Sequence, residues 1–416
     1  MIKQKKVSEF RPLLIGAGLG SVLGSGVIVA LATTISIWQN YLSLSVSQVG
    51  IISSVLTLSI AIGSLSAGKL AKQIGLIRAF NLLNLFFVIG GLLIVCTINF
   101  PMLVIGAAIS GFVTGADLPI SLTVISKDVA DEKIRAELVS STQVYWTIGI
   151  LLASIASFIT SKLPGELSAR IVMGLVVLVG VVTLLIRMGS KKLQLIHSSA
   201  PDSINYDSVE KKASVLKLLF GKEKKYLKFF ICILVFYCGW NLLANTFGQF
   251  QTFMLVKANA TQSFATGAGL LLTIVVLAIA VIFAKIAGGK NRNVVFVLGI
   301  IIIIFALVAL AFSSNNLFLI VAWLALQNVG STFAGEAMYK VWTQESFPMS
   351  YRSSIQGFIN GFSRLCCAAF ALITPLLVLP ENIKTTMLGF AVLIFVAGVF
   401  GVIQIRLQKK YNVGSN

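Results

Sequence analysis

Long apolar runs separated by short polar loops dominate the pattern of this chain. A bilayer core about 30 Å thick needs roughly 20 apolar residues in a helix that rises 1.5 Å per residue. Runs of about that length fall at 13–37, 48–68, 79–98, 102–126, 138–160, 168–187, 229–254, 265–286, 294–312, 317–342, 353–377 and 386–405. The pattern therefore predicts an all-α membrane protein with twelve transmembrane helices.

Composition excludes a soluble globular protein, because only 11% of the 416 residues are charged whereas soluble domains carry about a quarter. The net charge of +19 does not indicate a nucleic-acid partner, since Lys and Arg cluster in the loops between apolar runs. If both termini are cytoplasmic, only Lys162, Arg170, Lys257 and Lys384 fall outside. We therefore expect a multi-pass protein of the cytoplasmic membrane with N- and C-termini inside the cell.

One long polar connection, 188–228, divides the predicted spans into two sets of six. It predicts an N-terminal six-helix bundle at 1–187 and a C-terminal one at 229–416. Apolar residues alternate with Lys between 209 and 222, which favours an amphipathic helix on anionic lipids of the cytoplasmic leaflet. A solvated loop without preferred contacts is the alternative.

Four short stretches resemble motifs of a known transporter family. The sequence ESFPMSYRSSIQG at 345–357 is similar to the sugar-porter pattern E-x-F-P-x-x-x-R-x-x-x-x-G, and DVADEKIR at 128–135 resembles its first-half counterpart. Residues 143–149 are similar to Q-x-x-x-x-x-G of the fifth span, and 239–241 to G-I-N of the seventh. The chain thus resembles the sugar porters of the major facilitator superfamily. The resemblance implies two six-helix bundles with pseudo-twofold symmetry, alternating access and no cofactor, and we expect a monomer.

The chain departs from the family pattern at three places. The loop after span 2 carries Lys72 where the family usually has an acid, so the cytoplasmic charge lock to which Arg78 belongs is altered. Gly24 takes the place of a first-span Asp that many proton symporters of the family carry. On span 10, Glu336 and Lys340 stand where the family has G-P-x-x-W.

Charged residues inside the predicted spans are candidates for proton coupling, because an unpaired charge in hydrocarbon costs several kcal/mol. Asp117 on span 4 is expected near the middle of the membrane, and Glu336 on span 10 at a similar depth or slightly nearer the cytoplasm. Burial favours the neutral carboxyl group and a nearby cation the charged one, so access can switch protonation. Arg364 is a possible counter-charge for Glu336, and Lys340 shares its helix face. The alternative is a fixed structural network of Glu336, Lys340 and Arg364.

Amide and aromatic side chains within the spans are candidates for binding a polyhydroxylated solute. Amides both donate to and accept from hydroxyl groups, and an indole ring can cover the apolar face of a sugar ring. Three amides on span 7 recur every four residues and so share one face. The candidate set is Gln143, Trp146, Trp240, Asn241, Asn245, Gln249, Asn328 and Asn360. Ordinary hydrogen bonds between helices are the alternative for these amides.

The resemblance also implies a cytoplasmic gate at the ends of spans 4 and 10. Asp128 and Arg135 are seven residues apart, as are Glu345 and Arg352. In the family, salt bridges of this kind hold the cytoplasmic side closed, and Arg78 belongs to the same set.

These features together predict a secondary transporter that imports a sugar or a polyol, such as an inositol, with a proton. Export of an amphipathic compound by antiport and facilitated uniport are the alternatives within transport. An enzyme is not expected, since no nucleophile or catalytic cluster is visible. The single His197 lies in a polar loop without a partner cluster, so we expect no metal site.

Overall fold

The computed structural model describes residues 7–199, 218–221, 223–286, 291–313 and 316–413. Within these ranges all regular secondary structure is helical. The chain divides into two compact units, Met1–Glu210 and Lys211–Asn416.

The first unit contains six long helices and a short seventh. They are α1 (Arg11–Tyr41), α2 (Val46–Ile74), α3 (Leu76–Val95), α4 (Phe100–Asp128), α5 (Glu132–Thr160), α6 (Leu167–Gly189) and α7 (Lys191–Ser199). Polar residues begin two of the long helices: Ser45 forms a capping box with Gln48, and Asn99 accepts the backbone N–H of Met102. Helix α7 lies in the stretch predicted as a linker, whereas 209–222 falls outside the described residues except for 218–221.

The second unit also has six helical segments in sequence, two of which are broken: one between Phe333 and Glu336, the other between Ala371 and Thr374. Its helices are α8 (Lys225–Lys257), α9 (Gln262–Ile286), α10 (Arg292–Ala311), α11 (Leu317–Phe333), α12 (Glu336–Ser346), α13 (Met349–Ala371), α14 (Thr374–Leu377) and α15 (Ile383–Lys410). The predicted tenth span is divided between α11 and α12, which meet at Ala334 and Gly335.

Eleven helical stretches of the described chain are long and apolar enough to cross a membrane. They correspond to eleven of the predicted spans. The remaining prediction, 353–377, falls on α13 and α14, and Arg352, Asn360 and Arg364 make α13 more polar than the other long helices. The all-helical membrane fold predicted from the apolar pattern is thereby confirmed.

The same pattern of helix neighbours occurs inside each unit. In the first, α1 packs against α5 and α6, α2 against α4, and α3 against α4 and α6. In the second, α8 packs against α13 and α15, α9 against α11, and α10 against α11 and α15. Each unit is therefore built on the same six-helix plan.

Small residues allow the closest of these contacts, between α2 and α4. An added Cβ at Gly115 would lie 2.7 Å from the carbonyl carbon of Ile60, and one at Gly111 would lie 2.7 Å from the carbonyl oxygen of Leu56. Close backbone approach of this kind drives helix association where lipid removes the hydrophobic driving force.

We predict that Gly115→Ala destabilises the protein by about 1–3 kcal/mol, because the methyl group meets backbone atoms that cannot rotate away. Thermal unfolding of the purified protein, followed by intrinsic fluorescence, would show a lower midpoint. Gly174→Ala on α6 is the matched control, since an added Cβ there meets no atom within 4 Å. Equal midpoints for the two variants would contradict this account of the α2–α4 contact.

Candidate functional site

Asp117 of α4 and Arg187 of α6 form a buried, bidentate salt bridge. Nη1 of Arg187 lies 2.5 Å from Oδ1 of Asp117, and Nη2 lies 3.0 Å from Oδ2. Only 6% of Asp117 and 1% of Arg187 is exposed. Two parallel charge-assisted hydrogen bonds satisfy both side chains in a setting where either charge alone would be costly.

The remaining donors of Arg187 tie two further helices to this pair. Nε donates to the carbonyl oxygen of Gly16 in α1 at 2.9 Å, and Nη1 to that of Phe80 in α3 at 2.7 Å. The guanidinium carbon lies 3.8 Å from the centre of the Phe80 ring. Ser121 donates to Oδ2 of Asp117 at 3.2 Å. Four helices therefore meet at one arginine.

The contacts of Arg187 place Asp117 in the part of the first unit where α1 and α3 begin and α6 ends. Gly16 and Phe80 lie in the second turns of α1 and α3, and Arg187 lies in the last turn of α6. An added Cβ at Gly20, in the third turn of α1, would also meet the Asp117 carboxylate. The position of Asp117 near the middle of the membrane stays a prediction.

Glu345, at the end of α12, has a different partner from the one the motif spacing suggested. Its carboxylate accepts from Nη1 and Nη2 of Arg292, at 2.8 and 2.9 Å, and from Nε2 of Gln408 at 3.2 Å. Nε of Arg352 instead donates to the carbonyl oxygen of Phe347 at 2.8 Å. The chain leaves the helix at Phe347, so Arg352 folds back on this turn while Arg292 arrives from the neighbouring helix α10.

Asp128, the corresponding acid of the first unit, is bound by the only histidine of the chain. Nδ1 of His197 lies 2.5 Å from Oδ2 of Asp128, whose side chain is fully buried. The imidazole also packs edge-on against Phe80, with ring centres 6.2 Å apart. Arg78 is exposed, and the gate roles predicted for Arg78 and Arg135 stay predictions.

Several predicted solute-binding residues meet in one cluster of the second unit. Nδ2 of Asn241 donates to Oγ of Ser363, and the hydroxyl group of Tyr237 donates to Oδ1 of Asn360 at 3.4 Å. The indole N–H of Trp240 donates to Oγ of Ser331 at 2.7 Å. The cluster thus joins α8 to α11 and α13 through side chains that carry both donors and acceptors.

Aromatic rings form one wall of this cluster. Tyr237 stacks on Tyr339 with ring centres 3.8 Å apart, and on Trp240 with ring centres 5.9 Å apart. The sequence analysis named Trp240 but missed both tyrosines and the two serines. Tyr237 lies four residues before Asn241 on the same helical face, which is the signal that would have identified it.

The helix break between α11 and α12 lies beside the same tryptophan. An added Cβ at Gly335 would be 2.7 Å from Nε1 of Trp240, so only glycine fits there without displacing the indole. Glu336 begins α12 and pairs with Lys340 at 2.8 Å, and about half of each side chain is exposed. Arg364, the other counter-charge suggested by the sequence, is half-buried on α13.

The other predicted solute-binding residues are distributed more widely. Nε2 of Gln249 donates to Oδ1 of Asn245 at 2.9 Å, so two of the three span 7 amides pair with each other. Asn328 is half-buried on α11. In the first unit Gln143 is exposed on α5, and Trp146 lies against Gly24, where an added Cβ would be 3.2 Å from the indole ring.

Comparison with known proteins finds membrane transport proteins both by sequence and by structure. The sequence profile described as Major Facilitator Superfamily matches residues 14–371. The minor myo-inositol transporter IolF of Bacillus subtilis is 28% identical over 388 residues, covering 91% of this chain and 86% of that protein. The glucose transporter GlcP of Staphylococcus epidermidis is 28% identical over 181 residues, 42% of this chain and 40% of its own. A crystal structure of a D-xylose-proton symporter superposes with a TM-score of 0.76 at 14% identity, covering 94% of this chain and 96% of the symporter.

We predict that Arg187→Met destabilises the protein strongly, by roughly 3–5 kcal/mol, because it leaves Asp117 buried without its partner. The double variant Arg187→Met with Asp117→Asn should recover a large part of that loss, since the uncompensated charge is removed. Thermal unfolding midpoints of the two variants measure the difference. A double variant no more stable than Arg187→Met would show that the pairing of charges is not what the arginine contributes.

Proposed function

Because the chain belongs to the major facilitator superfamily of membrane transport proteins, we propose that it carries a sugar or a polyol across the membrane. Transport rather than catalysis is its activity. The single observation that carries the choice of solute is the cluster of Tyr237, Trp240, Asn241, Asn360 and Ser363 in the second unit.

The chemistry of this cluster suits a polyhydroxylated ring. Its amide and hydroxyl groups offer donors and acceptors at short spacing, and the stacked rings of Tyr237 and Trp240 offer a flat apolar face. Names of relatives support the same class: IolF is a myo-inositol transporter and GlcP a glucose transporter. We propose Gln143, Trp146, Asn245, Gln249 and Asn328 as further contacts of the solute.

We propose that the broken helix at Gly335 takes part in alternating access. Trp240 contacts the break through Ser331 and Gly335, so a solute that moves the indole also alters the junction of α11 and α12. Half-helices whose junction lines a binding site occur in transporters that rock around a fixed site. We propose that solute binding at Trp240 changes the angle between α11 and α12.

Proton coupling is proposed for Glu336 in preference to Asp117. Glu336 is half-exposed and pairs with a single lysine, Lys340, so its carboxylate has fewer partners than that of Asp117. Asp117 accepts two hydrogen bonds from Arg187 and one from Ser121, so its carboxylate is held by partners within the first unit.

We propose the cytoplasmic membrane as the location of the protein and import as the direction of net transport. The loop charges support an orientation with both termini inside the cell. Glu345 with Arg292 and Asp128 with His197 secure the cytoplasmic helix ends within their own units. We propose that these pairs, with Arg78, Arg135 and Arg352, form the cytoplasmic gate.

In proteoliposomes we expect uptake of radiolabelled myo-inositol or a hexose, and Asn241→Leu should raise the KM roughly three- to tenfold because one net hydrogen bond to the solute is lost. Asn40→Leu, at an exposed position of α1, is the matched control and should leave the KM unchanged. A panel of hexoses, pentoses and inositols identifies the solute. The proposal fails if none of these moves while an amphipathic cation is extruded.

An imposed pH gradient, acidic outside, should drive accumulation by the wild-type protein but not by Glu336→Gln, because the glutamine cannot take up a proton. Exchange of labelled for unlabelled solute at equal concentrations should persist in the variant. Lys340→Gln is the matched control: it breaks the same ion pair but keeps the carboxyl group, so accumulation should remain. If Glu336→Gln and Asp117→Asn both accumulated solute fully, proton coupling through either residue would be refuted and uniport supported.

A further inference from the structure

The second unit contains a cleft of about 310 Å³ at the end opposite Glu345 and Arg292. It lies where α8 and α10 end and α15 begins. Its lining consists almost wholly of apolar side chains: Met254, Leu255, Ala258, Leu310, Ala311, Phe312, Ile320, Val378, Pro380, Ile383 and Lys384. None of the amides proposed to bind the solute contributes to it.

The floor and the mouth of the cleft differ in exposure. Leu255, Leu310 and Val378 are buried, with at most 4% of each residue exposed. Phe312 and Lys384, at the mouth, are exposed. The cleft is therefore an apolar depression with its only charged lining group at the rim.

Lys384 is placed to receive an anion. Its amine lies 4.8 Å from the centre of the Phe312 ring, which holds the charge at the mouth. Among the described residues it has no ion-pair partner, and the neighbouring acid, Glu381, is exposed on the preceding turn. Lys384 also lies in the first turn of α15, where Asn382 makes no side-chain cap and the helix dipole adds positive potential.

We propose that this cleft binds a fatty acid, with the alkyl chain against the buried floor and the carboxylate on Lys384. Its volume is at the lower end of the range for small-molecule pockets, which suits one chain rather than two. A sugar is a poor occupant, because its hydroxyl groups would face leucine, methionine and valine without partners. The proposal is independent of the transported solute.

The test uses a diazirine derivative of decanoate, photo-crosslinked to the full-length protein in nanodiscs and mapped by mass spectrometry. We expect labelling at the floor residues Leu255, Leu310 and Val378. Lys384→Gln should reduce the labelling roughly tenfold at subsaturating probe, since a charge-assisted contact is lost. Ala311→Phe, which fills the floor, should abolish it, whereas Lys162→Gln, an exposed lysine of the first unit, should leave it unchanged.

Unlabelled competitors separate recognition of the carboxylate from simple partition into the membrane. Decanoate should displace the probe from the floor residues at a concentration about tenfold lower than decanol, because only decanoate carries the charge. Equal competition by the two compounds would overturn the proposal. Labelling spread over all lipid-facing helices, unaffected by Lys384→Gln and Ala311→Phe, would overturn it as well.

Discussion

A charge buried among membrane helices must be matched by another charge, and in the first unit this constraint is met by Asp117 and Arg187. The arginine does more than neutralise the acid, because its remaining donors bind carbonyl oxygens of α1 and α3. Gly20 leaves the space that the two side chains occupy, since an added Cβ there would collide with both. Four helices and one small residue thus depend on a single ion pair, which fixes this end of the unit.

The second unit uses the same helix plan but fills the equivalent region with aromatic rings. Phe236, Phe296 and Trp342 pack edge to face, with ring centres 4.9 to 5.4 Å apart. Its buried ion pair, Arg292 with Glu345, lies at the helix ends, where Gln408 adds a hydrogen bond. Polar side chains gather farther along α8, around Trp240 and the break at Gly335. The two units share a framework and differ in which part of it carries the polar chemistry.

Apolar run lengths were sufficient to predict the helices, and short motifs were sufficient to suggest the family, because both signals are local in sequence. Partners were harder to predict. Arg187 ends a predicted apolar run, and Arg292 and His197 lie in polar stretches, yet each contacts an acid on another helix. Spacing along one helix could not show this, since the choice of partner depends on which helices are neighbours. The break at Gly335 has no proline to signal it, so the apolar run 317–342 predicted one continuous helix where the structure has two.

Amides of the proposed solute site already form hydrogen bonds with neighbouring side chains. These bonds bear on how solute binding moves the protein. Asn241 is bonded to Ser363, and Asn245 to Gln249. Hydrogen bonds between membrane helices are worth only about 0.6 kcal/mol each on average, so a ring of hydroxyl groups can replace several of them at little cost. Replacement separates side chains of α8 from those of α11 and α13. In the proposed mechanism the solute exchanges contacts between helices for contacts with itself, and the difference in stability between the two arrangements allows binding to shift the conformation.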